Sequence, residues 1–392
     1  MLSRRSLLAA LPALGALTPA AAQTTSAAPP ASGGQPPLVG RLYLAANRPW
    51  TPVLLQGQGP YRFIIDTGSN AAVIDPDLAS QLKLARLDDT ELQGATGRRT
   101  APAYVAQEVV VAGALRQRGA VRFVGGDVGG GFAGILPAGL FTAVNSEIDF
   151  AAQEFRLYGA RAPDRAGFVR LPLVRDPARP RDGRLVVRAR LDGRPMDLLV
   201  DTGGAGSVLL SGEYVGFNRL FERYKRWTPI EGQGLLNPFA VRLVRARSLQ
   251  LGPVQLKQPV VQLTDPFNPP GDAGDGVLGM DVLRRFTLAT DPAGGALWLK
   301  PNAAFDEPFR YNRAGLETRF EDGAAVVKSV LTASPADRAG VEAGDRLPTV
   351  ATPRDLAEFD WFLSEEPGTR LEFELQRGAE RFMVSLVLQD LV

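Results

Sequence analysis

The chain has 392 residues, with neither cysteine nor histidine and with 44 basic against 42 acidic side chains. The missing residue types exclude disulfides, thiol nucleophiles, Ser-His-Asp relays, zinc sites built on cysteine or histidine, and ordinary haem ligation. The charge balance is formally neutral once Arg4 and Arg5 are set aside, so it leaves no electrostatic footprint for nucleic acid or an acidic membrane face. Any chemistry must then come from carboxylates, hydroxyls, lysine, tyrosine or backbone groups. With 42 glycines, 31 prolines and few stretches of helical period, the sequence reads as mainly β and rich in turns, and its length suits two or three domains.

Residues 1–22 read as a signal peptide. Arg4-Arg5 precede an apolar run from Leu7 to Leu17, and Ala20-Ala21-Ala22 supplies small residues for cleavage. Ser3-Arg4-Arg5-Ser6-Leu7-Leu8 is similar to a twin-arginine signal, with the general secretory route as the alternative. The apolar run is short and contains Pro12, which argues against a retained anchor, and no other stretch reaches spanning length. The expectation is an exported protein, periplasmic or secreted, with no integral membrane segment after cleavage. Residues 23–38, rich in proline, serine, alanine and glycine, read as a disordered linker.

A two-fold repeat follows. Phe63-Ile64-Ile65-Asp66-Thr67-Gly68-Ser69 leads to Ala72-Val73-Ile74, and Leu198-Leu199-Val200-Asp201-Thr202-Gly203-Gly204 leads to Val208-Leu209-Leu210, with the aspartates 135 residues apart. Gly134-Ile135-Leu136-Pro137 matches Gly276-Val277-Leu278-Gly279 at an offset of 142, as does Asp149 with Asp291. Between these, Leu92-Gln93-Gly94-Ala95-Thr96-Gly97 corresponds to Ile230-Glu231-Gly232-Gln233-Gly234. Two similar lobes are expected, residues 39–162 and 163–302, each of short strands and tight turns. In each, an apolar strand delivers the aspartate to a turn where threonine adds a hydroxyl and glycine frees the backbone.

The repeat resembles the pepsin/retropepsin superfamily of aspartic proteases, in its bacterial retropepsin-like branch with two lobes fused in one chain. The resemblance implies two β-barrel lobes related by a pseudo-two-fold axis, with catalytic Asp66 and Asp201 facing each other on the floor of a cleft. It implies that Thr67 and Thr202 lock the two turns together and that Gly68, Ser69, Gly203 and Gly204 support the pair. Flaps would carry Gly94, Thr96 and Gly97 in one lobe and Gly232 and Gly234 in the other, although neither segment has a tyrosine at its tip. Gly204 also departs from the serine found at its counterpart, Ser69. The implied activity is that of an endopeptidase on polypeptide substrates, with no cofactor and no metal. One chain supplies both aspartates, so a monomer suffices. The rival reading is a non-catalytic peptide-binding or scaffold protein with a degenerate protease cleft.

After Lys300-Pro301 the pattern changes. Ser334-Pro335-Ala336-Asp337 opens a short helix that Gly340 ends, with Asp337 expected to close a capping box, and Thr352-Pro353-Arg354-Asp355 opens a second that buries Leu356, Phe359 and Leu363. Strands are expected at Ala324–Leu331, Arg370–Arg377 and Arg381–Leu388. Residues 305–392 resemble a PDZ domain, carried by the run Ser334-Pro335-Ala336 to Ala343-Gly344-Asp345. The resemblance implies that backbone amides near Gly315 and Leu316 take the carboxylate of a peptide that pairs with the following strand. The alternative is a structural appendage packed on the second lobe.

Three further segments read as scaffold. Gly125–Gly131 lacks the lysine of a phosphate-binding loop, and Gly271–Gly276 lacks the alternation and final glutamate of a calcium loop. Tyr214–Trp227, aromatic and basic, reads as helix and core.

Overall fold

The computed structural model describes residues 36–94, 97–159, 163–174, 183–233, 238–265, 274–291, 295–321 and 323–392. The expected leader, nearly all of the linker, Thr96 and Gly234 lie outside the described residues. With 52% strand and 11% helix the chain is mainly β. No helix among the described residues is long and apolar enough to cross a membrane.

Each half of the repeat builds the same crossing of strands. In the first, Gln58–Asp66 runs parallel to Gly134–Pro137, which is antiparallel to Val73–Ile74, which in turn runs parallel to Leu115–Gly125. In the second, Arg194–Val200, Gly276–Leu278, Val208–Leu210 and Val260–Thr264 repeat that order and those senses. The aspartate strands are central and covered on both faces, so they read as unbroken apolar runs: Phe63, Ile64 and Ile65, like Leu198, Leu199 and Val200, are buried.

The repeated glycines have a steric cause. A Cβ on Gly134 would stand 2.3 Å from the Val73 carbonyl oxygen, and one on Gly276 would stand 2.3 Å from that of Leu209. Neither backbone strand can yield without breaking its ladder. Gly276→Ala is therefore expected to cost about 3 kcal/mol of stability, read as a lowered urea midpoint with an unchanged slope. Gly279 approaches Gly206 and Gly204 in the same way, with its Cβ position 2.4 Å and 2.8 Å from their oxygens, whereas lobe 1 has Pro137 there.

The strands form an eight-stranded sheet in the first lobe and a nine-stranded sheet in the second. The first sheet folds back on itself where Val53, Leu54 and Leu55 pair with Val111, Val110 and Val109. Among the described residues the second shows no closing pair of that kind. A six-stranded sheet joins the lobes, because Asn145–Asp149 pairs antiparallel with Phe286–Asp291. These are the segments that contain the matched Asp149 and Asp291, and at their junction the Ser146 and Thr290 hydroxyls meet at 2.9 Å. Leu38 already pairs with Leu157 in this sheet, so ordered strand begins at the last residue of the span read as linker.

The remaining sheet has five strands, Leu316–Glu321, Ala324–Val330, Arg346–Leu347, Arg370–Arg377 and Glu380–Val387 in that order, around buried Leu316, Val327, Leu347, Leu363, Leu375 and Val384. Thr352 and Asp355 form the capping box of the helix Pro353–Phe362. At the helix Pro335–Arg338 the Ser334 side chain takes the Asp337 amide, but the Asp337 carboxylate takes the amide of Ala333 rather than that of Ser334. Phe309, Tyr311 and Val392 flank this sheet yet pack into the core of the two lobes. The connection is fixed by the fully buried Arg285, which donates to the carbonyls of Asp281, Ala304, Phe305 and Glu307 and lies 3.9 Å from the Phe309 ring centre. The Tyr214–Trp227 segment overlaps two short helices, Gly212–Phe217 and Leu220–Arg223, that bury Tyr214 and Leu220 and leave Phe217 exposed.

Candidate active site

Asp66 ends one central strand and Asp201 follows the other, and beyond each the chain turns through Thr-Gly. The two turns interlock. The Thr67 amide donates to Thr202 Oγ1 at 3.0 Å and the Thr202 amide to Thr67 Oγ1 at 3.1 Å. Thr67 Oγ1 in turn donates to the Val200 carbonyl at 2.8 Å, and Thr202 Oγ1 to that of Ile65 at 2.6 Å. Both threonines are buried, so all four bonds are shielded from water, and each lobe's turn is tied to the strand that carries the other lobe's aspartate.

The carboxyl groups are held alike. Asp66 Oδ1 accepts the amides of Gly68 at 2.8 Å and Ser69 at 3.0 Å, and Asp201 Oδ1 accepts those of Gly203 at 2.7 Å and Gly204 at 3.1 Å. The difference between Ser69 and Gly204 does not reach the carboxyls, because Ser69 Oγ donates to the Ala71 carbonyl at 2.8 Å. Each of the two serves its aspartate through a backbone N–H alone. The two carboxyl groups hydrogen-bond one another, and each sits over the opposing turn's glycine.

Both aspartates keep some surface toward solvent, while the surrounding protein removes most of their hydration. Burial pushes the Asp66 carboxyl well above its ordinary range, and the charge and hydrogen bond of Asp201 push it further, against the pull of the Gly68 and Ser69 amides. Burial raises Asp201 too. Its hydrogen bond with Asp66, the Gly203 and Gly204 amides and the Arg48 cation draw it back down. The two carboxyls therefore share one proton and titrate as a coupled pair.

The expected flap segments are both hairpins. In the first, Ala85–Gly94 pairs with Gly97–Val111 and closes at Gly94 opposite Gly97. Its buried Leu92 packs with Ile64, Val73, Ala101, Val124, Phe132 and Ile135, and Trp50 lies against the cluster. Ile64 and Asp66 alternate onto one face of their strand, so this hairpin leans on the face that carries the carboxyl. In the second, Thr228–Gln233 pairs with Pro238–Arg245, and Gly232 lies against the Phe239 ring. That hairpin is gripped from outside: the Glu231 amide donates to Glu317 Oε1 at 3.1 Å, and the Glu231 carboxylate pairs with Lys328.

Gly315 and Leu316 lie apart from the carboxyl pair, in the C-terminal sheet. Gly315 has a left-handed φ of +74°, and a Cβ there would stand 2.3 Å from that of Ser334. The amides of Ala314 and Gly315 donate to Asn312 Oδ1 at 3.0 Å and 3.1 Å, and Asn312 Nδ2 donates to the Leu316 carbonyl at 2.5 Å.

Two residues beside the site carry no motif and escape a reading of the sequence, Asn47 and Arg48. Asn47 Nδ2 reaches from lobe 1 to the Ala205 carbonyl at 2.6 Å and to Asp281 Oδ1 at 3.0 Å in lobe 2.

Two stretches, residues 51–136 and 187–282, match a family model described as aspartyl protease. Each stretch contains one Asp-Thr-Gly turn and the glycine element that crosses behind it. Two lobes, each similar to that family, support a retropepsin-like aspartyl protease, a hydrolase of peptide bonds. No curated protein matches the chain significantly.

Proposed function

We propose that the chain is an exported aspartic endopeptidase whose catalytic dyad is Asp66 and Asp201. The observation that carries this reading is the interlock of Thr67 with Thr202, which leaves the two carboxyl groups no freedom to part. The ionised member of the pair takes a proton from water as the oxygen attacks the scissile carbonyl carbon. The protonated member gives its proton to the carbonyl oxygen, so the intermediate is a neutral gem-diol and the pair has exchanged roles. Collapse of the diol breaks the C–N bond. The proton taken from water passes to the departing nitrogen, and a diol hydroxyl returns a proton to the carboxylate that had protonated the carbonyl oxygen. The hairpin Ala85–Val111 serves as the flap over the substrate.

The C-terminal sheet is read in the same proposal as a PDZ-like module that selects peptides along its outer strand, Leu316–Glu321. With the Gly315 amide engaged by Asn312, recognition would rest on strand pairing before any capture of a terminal carboxylate.

The pH dependence of hydrolysis of an unfolded protein tests the dyad. Activity should rise as the pair takes on its single negative charge and fall as it loses the shared, raised proton, giving a bell with its alkaline limb above the ordinary carboxylate range. A peptide with a hydroxyethylene unit in place of the scissile bond should bind and inhibit, and chelators should have no effect. A rate that climbs monotonically into alkaline pH would exclude the dyad. Tight peptide binding without hydrolysis at any pH would favour the scaffold reading.

A further inference from the structure

The two hairpins that correspond in the repeat are not held in the same way. In the first, Leu92 is buried among Ile64, Val73 and Phe132 on the face that carries Asp66. Ile230, its counterpart in the second, is only partly buried. Among the described residues Thr228–Gln233 is also the outermost strand of its sheet, paired on one side alone, with Pro238–Arg245. Alternate amides of such a strand point outward. Pro229 has no N–H to offer, and the next outward amide, that of Glu231, donates to Glu317 Oε1 at 3.1 Å. The other carboxylate oxygen of Glu317 accepts the Ser329 hydroxyl at 3.0 Å, which fixes the acceptor in place.

The sheet that supplies Glu317 is shaped for this contact. Glu317 pairs with Ser329 and Thr318 with Val327, so Lys328 is an extra residue in its strand. A bulge of that kind lets Lys328 and Ser329 both face the side of Glu317, where an even strand would turn one of them away. Lys328 accordingly pairs with the Glu231 carboxylate while Ser329 holds Glu317. The far end of the hairpin is tied down as well. Arg245 reaches Asp390 Oδ1 at 3.3 Å, where Tyr311 Oη donates at 2.7 Å, and Arg226, just ahead of the hairpin, donates to the Asp390 carbonyl. We propose that Glu317 and Lys328 are positioning residues for the reaction: through Glu231 they hold the second hairpin as a fixed wall for the substrate. The C-terminal sheet is thereby a working part of the protease. This rests on the proteolytic reading for its purpose, but not for the exchange measurement that tests the grip.

Hydrogen–deuterium exchange over residues 228–233 is measured beside hydrolysis of a defined peptide, in the full chain. The Lys328–Glu231 pair, with side chains 30% and 34% exposed, is screened by water and counts for less than the amide held by a carboxylate. Glu317→Ala should therefore speed exchange of the Glu231 amide about tenfold and raise KM about fivefold, with kcat held within about twofold. Lys328→Met should act in the same direction, more weakly. Glu317→Gln should stay near the wild type, because its side-chain oxygen still accepts the Glu231 N–H. Lys328→Glu should be worse than Lys328→Met, and adding Glu231→Lys should restore it. Unchanged exchange in Glu317→Ala overturns the proposal, as does faster exchange with an unchanged KM. An equal rise in KM in Arg381→Met, at the opposite edge of the same sheet, would overturn it too, by making the effect one of general loosening. If the wild type binds the hydroxyethylene peptide yet cleaves nothing, the proteolytic reading fails and the Kd of that peptide decides. Binding weakened in Glu317→Ala and restored in Glu317→Gln upholds the fixed wall, and unchanged binding in both removes it.

Discussion

Replacing either Asp66 or Asp201 with asparagine is expected to lower kcat/KM on an unfolded protein substrate by about a thousandfold or more. Each change removes one half of a proton exchange. The single carboxyl that remains cannot both take the proton from water and give one to the carbonyl oxygen. The double variant should be little worse than either single one, because the remaining carboxyl has no partner to share with. The fold should persist, since an asparagine Oδ1 can still accept the Gly68 and Ser69 amides, or those of Gly203 and Gly204. Each single variant should also lose the contribution of mutual repulsion, leaving the other carboxyl to titrate in one step that burial still raises. Near-normal turnover in either variant would show that the two carboxyls do not act together.

The parts of the molecule that were legible in the sequence are those where a local constraint leaves a residue signature. The aspartate strands announce themselves as apolar runs because both faces are covered, and the glycine elements because strands cross with no room for a Cβ. The caps at Ser334 and Thr352 follow from unsatisfied amides at helix starts. Pairings set by long-range contact leave no such mark. The Glu231 grip on the second hairpin joins two segments whose local sequences do not refer to each other. Arg48 is the most instructive case. The turn at Gln56-Gly57 pairs Leu55 with Gln58, and a plain reflection through it would set Arg48 opposite Ile65, on the wrong face. A register shift between Val53 and Leu55 moves the strand by one residue and turns Arg48 to the carboxyl side. In lobe 2 the corresponding hairpin has no such shift between Leu191 and Val186.

Alanine at Gly68 or Gly203 is expected to lower turnover by about a hundredfold or more without replacing a catalytic group. A Cβ on Gly68 would lie 2.5 Å from Asp201 Cγ and 2.7 Å from its Oδ1, and a Cβ on Gly203 would lie 2.5 Å from Asp66 Cγ and 2.6 Å from its Oδ2. Neither glycine has a left-handed backbone, so alanine meets no strain of its own there. Only the opposing carboxyl stands in the way. It must swing or retreat by about 1 Å to clear a methyl group, and a displacement of that size is enough to break the alignment of two proton transfers. The Thr67–Thr202 interlock prevents the turns from separating to relieve the contact, so the misalignment falls on the carboxyls. Gly204 supplies the internal comparison, because its Cβ position is 3.2 Å from Asp201 Oδ2 and a small shift of that oxygen accommodates it. Gly204→Ala should therefore keep most of the activity while Gly203→Ala loses nearly all of it. Circular dichroism should show the same strand content in all three variants, and the hydroxyethylene peptide should bind the Gly68 and Gly203 variants far more weakly. Equal activity in Gly203→Ala and Gly204→Ala would mean that the carboxyl pair tolerates displacement, and the geometry of the two turns would not be what sets the rate.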